Sequence, residues 1–227
     1  MVHTPHLDSV YELELGSISA QIDAMARLAE QMVRGALRVL SEQDPVLAEQ
    51  ICNTDRELDR MEIESDRLCV SLLARRAPVA GDLRLVTAAL KVVTDLERIG
   101  DLAVNIAKRS VGVGATIGVP VEVSLLADGA VEELALALRA LTRRDTDLAR
   151  RLHAEDQATD ARNRAAFDRL LSLASERPDA FEDLLALTNI CRQLERIGDH
   201  AVNVAEMVVY LVDGQIVRHQ LDELELH

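Results

Sequence analysis

The chain has 227 residues, 48% of them hydrophobic but only 2% aromatic, with no Trp. A core of useful size must therefore come from Leu, Val, Ile, Ala and Met, which favours helices over sheets. The formal charge of −14 is repelled by phosphate backbones and anionic lipid; it excludes nucleic acid as a natural ligand and favours cations or basic protein surfaces.

Apolar residues recur at helical spacing from Ser9 to about Ser41, through Ile18, Ile22, Met25, Ala29, Met32, Val33, Ala36 and Leu40, and predict a first helix. Asp44-Pro45 opens a second, with Asp as N-cap and Pro at the first helical position. Its apolar stripe ends near Ala77-Pro78. Asp82 is placed to cap a third helix, whose apolar side includes Val86, Leu90, Val93, Leu96, Val104 and Ala107. The Gly-rich stretch from Val111 to Pro120 reads as a linker.

After it the plan repeats. Leu37, Leu40, Asp44, Leu47, Asp55 and Asp59 return as Leu138, Leu141, Asp145, Leu148, Asp156 and Asp160, an offset of 101 residues. The offset then falls to 98, with Arg177-Pro178-Asp179 marking the shorter turn. The expected fold is all-α: two tandem three-helix bundles related by internal duplication, residues 1–113 and 114–227. The final L-D-E-L-E-L-H reads as a frayed tail. No basic-then-apolar leader opens the sequence, and no run approaches 18 uncharged apolar residues, so neither secretion nor membrane insertion is expected. The three cysteines, 52, 69 and 191, lack C-x-x-C spacing and read as reduced thiols in a cytosolic protein.

The densest signal is a peptide written twice. Leu96–Ala107 reads L-E-R-I-G-D-L-A-V-N-I-A and Leu194–Ala205 reads L-E-R-I-G-D-H-A-V-N-V-A. Glu97 and Asp101, like Glu195 and Asp199, are four apart and share one helix face. Such like charges repel by roughly 0.2–0.5 kcal/mol unless something positive lies between them. Gly100 and Gly198 sit inside these helices, where Gly costs about 1 kcal/mol relative to Ala. That cost, met twice, implies close approach by a neighbouring helix or an ion. The second helices add Asp55 with Asp59 and Asp156 with Asp160, so each half offers four carboxylates. An all-oxygen set suits hard cations such as magnesium, calcium, manganese or iron. The plainer alternative is a solvated face on which Arg98 and Arg196 pair with Asp101 and Asp199. The second-helix acids are the weaker metal candidates, because their surroundings look more solvated.

Enzymatic motifs are absent. A di-iron bundle needs two Glu-x-x-His motifs, and the histidines at 3, 6, 153, 200, 219 and 227 form none. There is no G-x-S-x-G elbow, P-loop or dinucleotide fingerprint. A metal-dependent helical-bundle enzyme and a purely structural helical dimer remain as alternatives.

The duplicated motif, the turn A-P-V-A-G-D-L-R from Ala77 to Arg84, and Asp213-Gly214…Val217-Arg218-His219 together resemble the PhoU family of phosphate-uptake regulators over nearly the whole chain. The resemblance implies a cytoplasmic, non-enzymatic negative regulator, a homodimer linking a phosphate ABC transporter, through its ATPase subunit, to a phosphate-sensing histidine kinase. It also implies metal ions, often iron, with Mg, Mn, Zn or Ca as other identities. By position the metal ligands fall on Glu97, Asp101, Glu195, Asp199, Asp55, Asp59, Asp156 and Asp160. Two departures, His200 for Leu102 and R-P-D-A-F-E-D in place of the first half's turn, imply that the two sites differ.

Overall fold

The computed structural model describes residues 5–217. Six long helices follow one another: α1 (Pro5–Glu42), α2 (Pro45–Arg76), α3 (Ala80–Ser110), α4 (Val121–Arg143), α5 (Thr146–Glu176) and α6 (Phe181–Asp213). There is no strand among the described residues. The tail from Leu221, like Arg218 and His219, lies outside them.

The helix boundaries have local causes. Asp44 accepts hydrogen bonds from the Val46 and Leu47 amides at 2.9 and 3.2 Å. Asp145 does the same for Asp147 and Leu148, both at 3.0 Å. Each cap satisfies donors that the first helical turn leaves without partners. The residue before each cap, Gln43 or Arg144, is left-handed, at φ 57° or 52°, so the duplication extends to the turn geometry. The expectation for Asp82 needs correcting. α3 starts at Ala80 with Val79 at the N-cap and no side-chain capping bond. Asp82 lies inside the first turn, where its charge suits the helix dipole, and it accepts a 2.8 Å bond from the Tyr11 hydroxyl, tying α3 to α1. Between the halves, the Gly-rich segment makes turns that are pinned at both ends. The Gly112 amide donates to Gln43 at 2.7 Å, and the Thr116 amide donates to Asp183 at 2.9 Å.

Helices α1, α2 and α3 pack on one another, as do α4, α5 and α6, and the two bundles meet along α3 and α6, with α1 also touching α4. A single apolar core runs through both halves. The inner helices are therefore buried on more than one side: Leu102, Ala103, Val104, Ile106 and Ala107 of α3 are all in the core. The outer helices α2 and α5 bury only a narrow stripe, six residues each. A helix that must cover one neighbour face needs no more than such a stripe, which leaves the rest of α2 and α5 free to carry charge. None of the described helices is long and apolar enough to cross a membrane.

Candidate carboxylate sites

In the first half the two acid pairs do come together. α2 and α3 are packed neighbours, and the charges of Asp59 and Asp101 both act on Asp55. Burial, then the nearby Asp59 and Asp101, holds the Asp55 carboxyl above its ordinary range. Glu97 is raised for the same reasons: burial first, then Asp101, with Glu62 and Asp59 adding to it. Its Oε2 atom is buried and accepts no hydrogen bond. Arg98 Nε stands 3.5 Å from that oxygen, and Arg98 Nη1 stands 3.5 Å from Asp101 Oδ2. The Arg98 side chain is 53% exposed, so the pairing that the plainer alternative supposed exists but is long and solvated, and weak on that account. Glu62, one turn beyond the second-helix pair, belongs to the same cluster. Burial and Asp66 raise it, and Asp59 and Asp101 add to the effect. Sequence reasoning missed Glu62 because it has no duplicate.

Gly100 is explained by a neighbouring helix. A Cβ there would overlap Leu58 Cδ2 of α2 and lie 3.6 Å from Asp55 Oδ1 and 3.5 Å from Met32 Cε. The bare backbone lets α2 close on α3, and that approach carries Asp55 to the third-helix acids.

The second half is arranged differently. Asp156 and Asp160 both raise Asp199, after burial, while His200 and Arg196 lower it. Glu195 is exposed, where its counterpart Glu97 is half-buried. His200 points to the junction between the halves. Its Nδ1 is 2.8 Å from Asp95 Oδ1, and the Asn203 amide donates to the same oxygen at 3.2 Å. The departure from Leu102 to His200 thus serves α3–α6 packing.

A further carboxylate enters this half from α4. Glu133 is 0% exposed, and both of its oxygens lack a hydrogen-bond partner. Burial first, then the facing Asp156, pushes its carboxyl up to about 8. Gly198 makes room for it, since a Cβ there would lie 3.1 Å from Glu133 Oε2. Thus the second glycine admits an α4 side chain where the first admits an α2 side chain. The one available sequence signal was an acid on the apolar face of E-E-L-A-L-A-L, in line with Leu126, Ala130 and Ala137. Among the described residues, no three His, Cys, Asp or Glu side chains are already drawn into metal-ligand geometry.

A profile of the PhoU domain matches the chain twice, over residues 22–110 and 123–208. The phosphate-specific transport system accessory protein PhoU homolog of Pseudomonas putida is 38% identical over 219 residues, covering 95% of this chain and 86% of that protein. The accessory protein PhoU of Escherichia coli K12 is 33% identical over 225 residues, covering 96% of this chain and 93% of its own length. Among solved structures, PhoU from Pseudomonas aeruginosa superposes with a TM-score of 0.85 at 37% identity, over 90% of this chain and all of the other. The phosphate transport system regulatory protein PhoU from Streptococcus pneumoniae gives 0.84 at 25% identity, over 92% and 99%. These relatives bear the names of accessory and regulatory proteins, not of enzymes. With the duplicated carboxylate helices, the twofold profile match and two solved relatives of the same architecture, the chain belongs to the PhoU family.

Proposed function

We propose that this protein is an accessory regulator of phosphate transport: a cytoplasmic homodimer that represses uptake and the phosphate regulon by bridging the ATPase subunit of a phosphate ABC transporter and a phosphate-sensing histidine kinase. The observation that carries the reading is family membership over nearly the whole chain, with relatives named for phosphate transport. The molecule suits an adaptor. It presents long helical faces, and its charge of −14 complements basic patches on partners.

The carboxylate faces are read as metal sites. Asp55, Asp59, Glu97 and Asp101 would hold a cation in the first half, and Asp156, Asp160, Asp199 and Glu195 in the second. The residues fit such a group: the donors are all oxygen, and buried Glu97 Oε2 has no hydrogen-bond partner. A bound hard cation would supply positive charge between crowded acids. The chain's own part is to hold the outer helix against the inner one at Gly100 and so keep the acids within reach of one another.

The test is phosphate uptake and phosphate-regulon expression in phosphate-rich medium. A strain lacking the gene is complemented with the wild type or with a variant carrying alanine at Glu97, Asp101, Glu195 and Asp199, at equal protein level. Derepression in the null strain, reversed by the wild type alone, supports regulation through the acids. Full rescue by the variant keeps the regulator and removes the metal faces from its mechanism. A null strain indistinguishable from its parent overturns the reading.

A further inference from the structure

The two halves superimpose in sequence at an offset of 101, which puts Glu133 at the place of Met32 and Thr159 at that of Leu58. Met32 and Leu58 are buried apolar residues, both against Gly100. The fold therefore fills this position with hydrocarbon where nothing else is required. In the second half the same position holds three buried oxygens, Glu133 Oε1 and Oε2 and Thr159 Oγ1, none of which makes a hydrogen bond of good geometry. Glu133 and Thr159 are 0% and 5% exposed. Asp156 lies close enough for its carboxyl to act directly on that of Glu133. A buried carboxylate beside another carboxylate, with only the Thr159 hydroxyl near enough to favour its charge, is unfavourable when ionised and calls for a compensating group, a proton or a cation. Arg162 is not that group. It lies against Gly129, one turn before Glu133 on α4, and among the described residues it makes no ion pair with Glu133.

We propose that Glu133, Asp156 and Thr159 form an internal oxygen pocket for one hard divalent cation of the magnesium or manganese class, present in the second half only. The inference rests on the reading of the carboxylate faces as cation sites and adds to it a ligand from α4 that lies outside the duplicated motifs. Carboxylate and hydroxyl oxygens, without sulfur or imidazole, select this class of ion. The pocket places the cation between α4 and α5, beside α6 at Gly198, so that it ties α4 to α5. The first half, with Met32 and Leu58 in these places, has no counterpart of this pocket.

The full-length protein is stripped with chelator, dialysed and titrated with Mn²⁺ by calorimetry, with thermal melts in parallel. The variant Glu133→Met/Thr159→Leu, which installs the first half's residues, is expected to bind one ion fewer and to lose the corresponding rise in melting temperature. Glu133→Gln, close to the native volume, guards against a packing fault in the double variant and is expected to weaken the site about tenfold or more. Glu97→Ala/Asp101→Ala is expected to keep the ion. Unchanged stoichiometry and affinity in the Glu133 variants overturn the proposal. If Mn²⁺ is then lost in Glu97→Ala/Asp101→Ala, the broader reading of the surface faces survives. A wild type that takes up no Mn²⁺ overturns both. A wild type whose stability answers to pH but not to Mn²⁺ overturns the pocket in favour of a proton shared between Glu133 and Asp156.

Discussion

In metal-free protein, Glu133 should make folding stability fall as the pH rises, and Glu133→Met should remove that dependence. The carboxyl is wholly buried, and its pKa is pushed from 4.5 up to about 8. The folded-state value lies above the unfolded one, so the protonated residue is the favoured folded form. Its contribution is complete below the unfolded pKa, declines as the pH rises from there, and is gone once the pH passes about 8. Linkage gives up to about 1.4 kcal/mol per pH unit for one proton. Between about pH 6 and pH 8 the wild type should therefore lose roughly 2–3 kcal/mol relative to the variant. At about 2–4 °C per kcal/mol for a chain of this size, the two melting curves should separate by roughly 4–12 °C. Thermal denaturation followed by circular dichroism, in chelator and at both pH values, measures this. Asp55, Glu62, Glu97 and Asp199 are raised as well, but they are present in both proteins; the difference belongs to the facing Glu133–Asp156 pair, which shares one proton. Methionine should fit, because Met32 already fills the matching place in the first half. Curves that stay parallel across this pH range would refute the picture of a buried, unpartnered carboxyl.

Two further outcomes are expected. Asp44→Ala and Asp145→Ala should each cost about 1 kcal/mol, since each removes a cap bonded to two amides. The losses should add in the double variant, because the caps lie in separate halves; thermal melts of the three proteins check this, and unshifted midpoints would sink it. In thiol titration with a disulfide reagent, native protein should show one accessible thiol, Cys52, and all three after denaturation. Cys69 and Cys191 are buried, and burial pushes both thiols up to about 11; fast reaction of either in the native state would contradict their placement.

Much of the fold is carried by local signals. The 3.6-residue periodicity, Asp44-Pro45, its echo at Asp145 and the twofold peptide around Gly100 and Gly198 declare six helices in two similar halves, because caps and amphipathic stripes act within a few residues of one another. The same duplication exposed the first-half acids, since Glu97 and Asp101 share a face by helix geometry alone. Pairing between helices is another matter. Asp82 looks like a cap until α1 brings Tyr11 to it. Glu195 and Asp199 look equivalent to Glu97 and Asp101 until the packing leaves Glu195 exposed where Glu97 is half-buried. Glu133 has no duplicate, and its place in line with Leu126, Ala130 and Ala137 is the only local sign that it is buried while the adjacent Glu132 is not. By itself the sequence determined which segments are helical, how they repeat and which family they belong to. The tertiary structure alone decided which acids meet, because that depends on the face each helix turns to its neighbours, and in a close-packed bundle a single glycine sets what can approach.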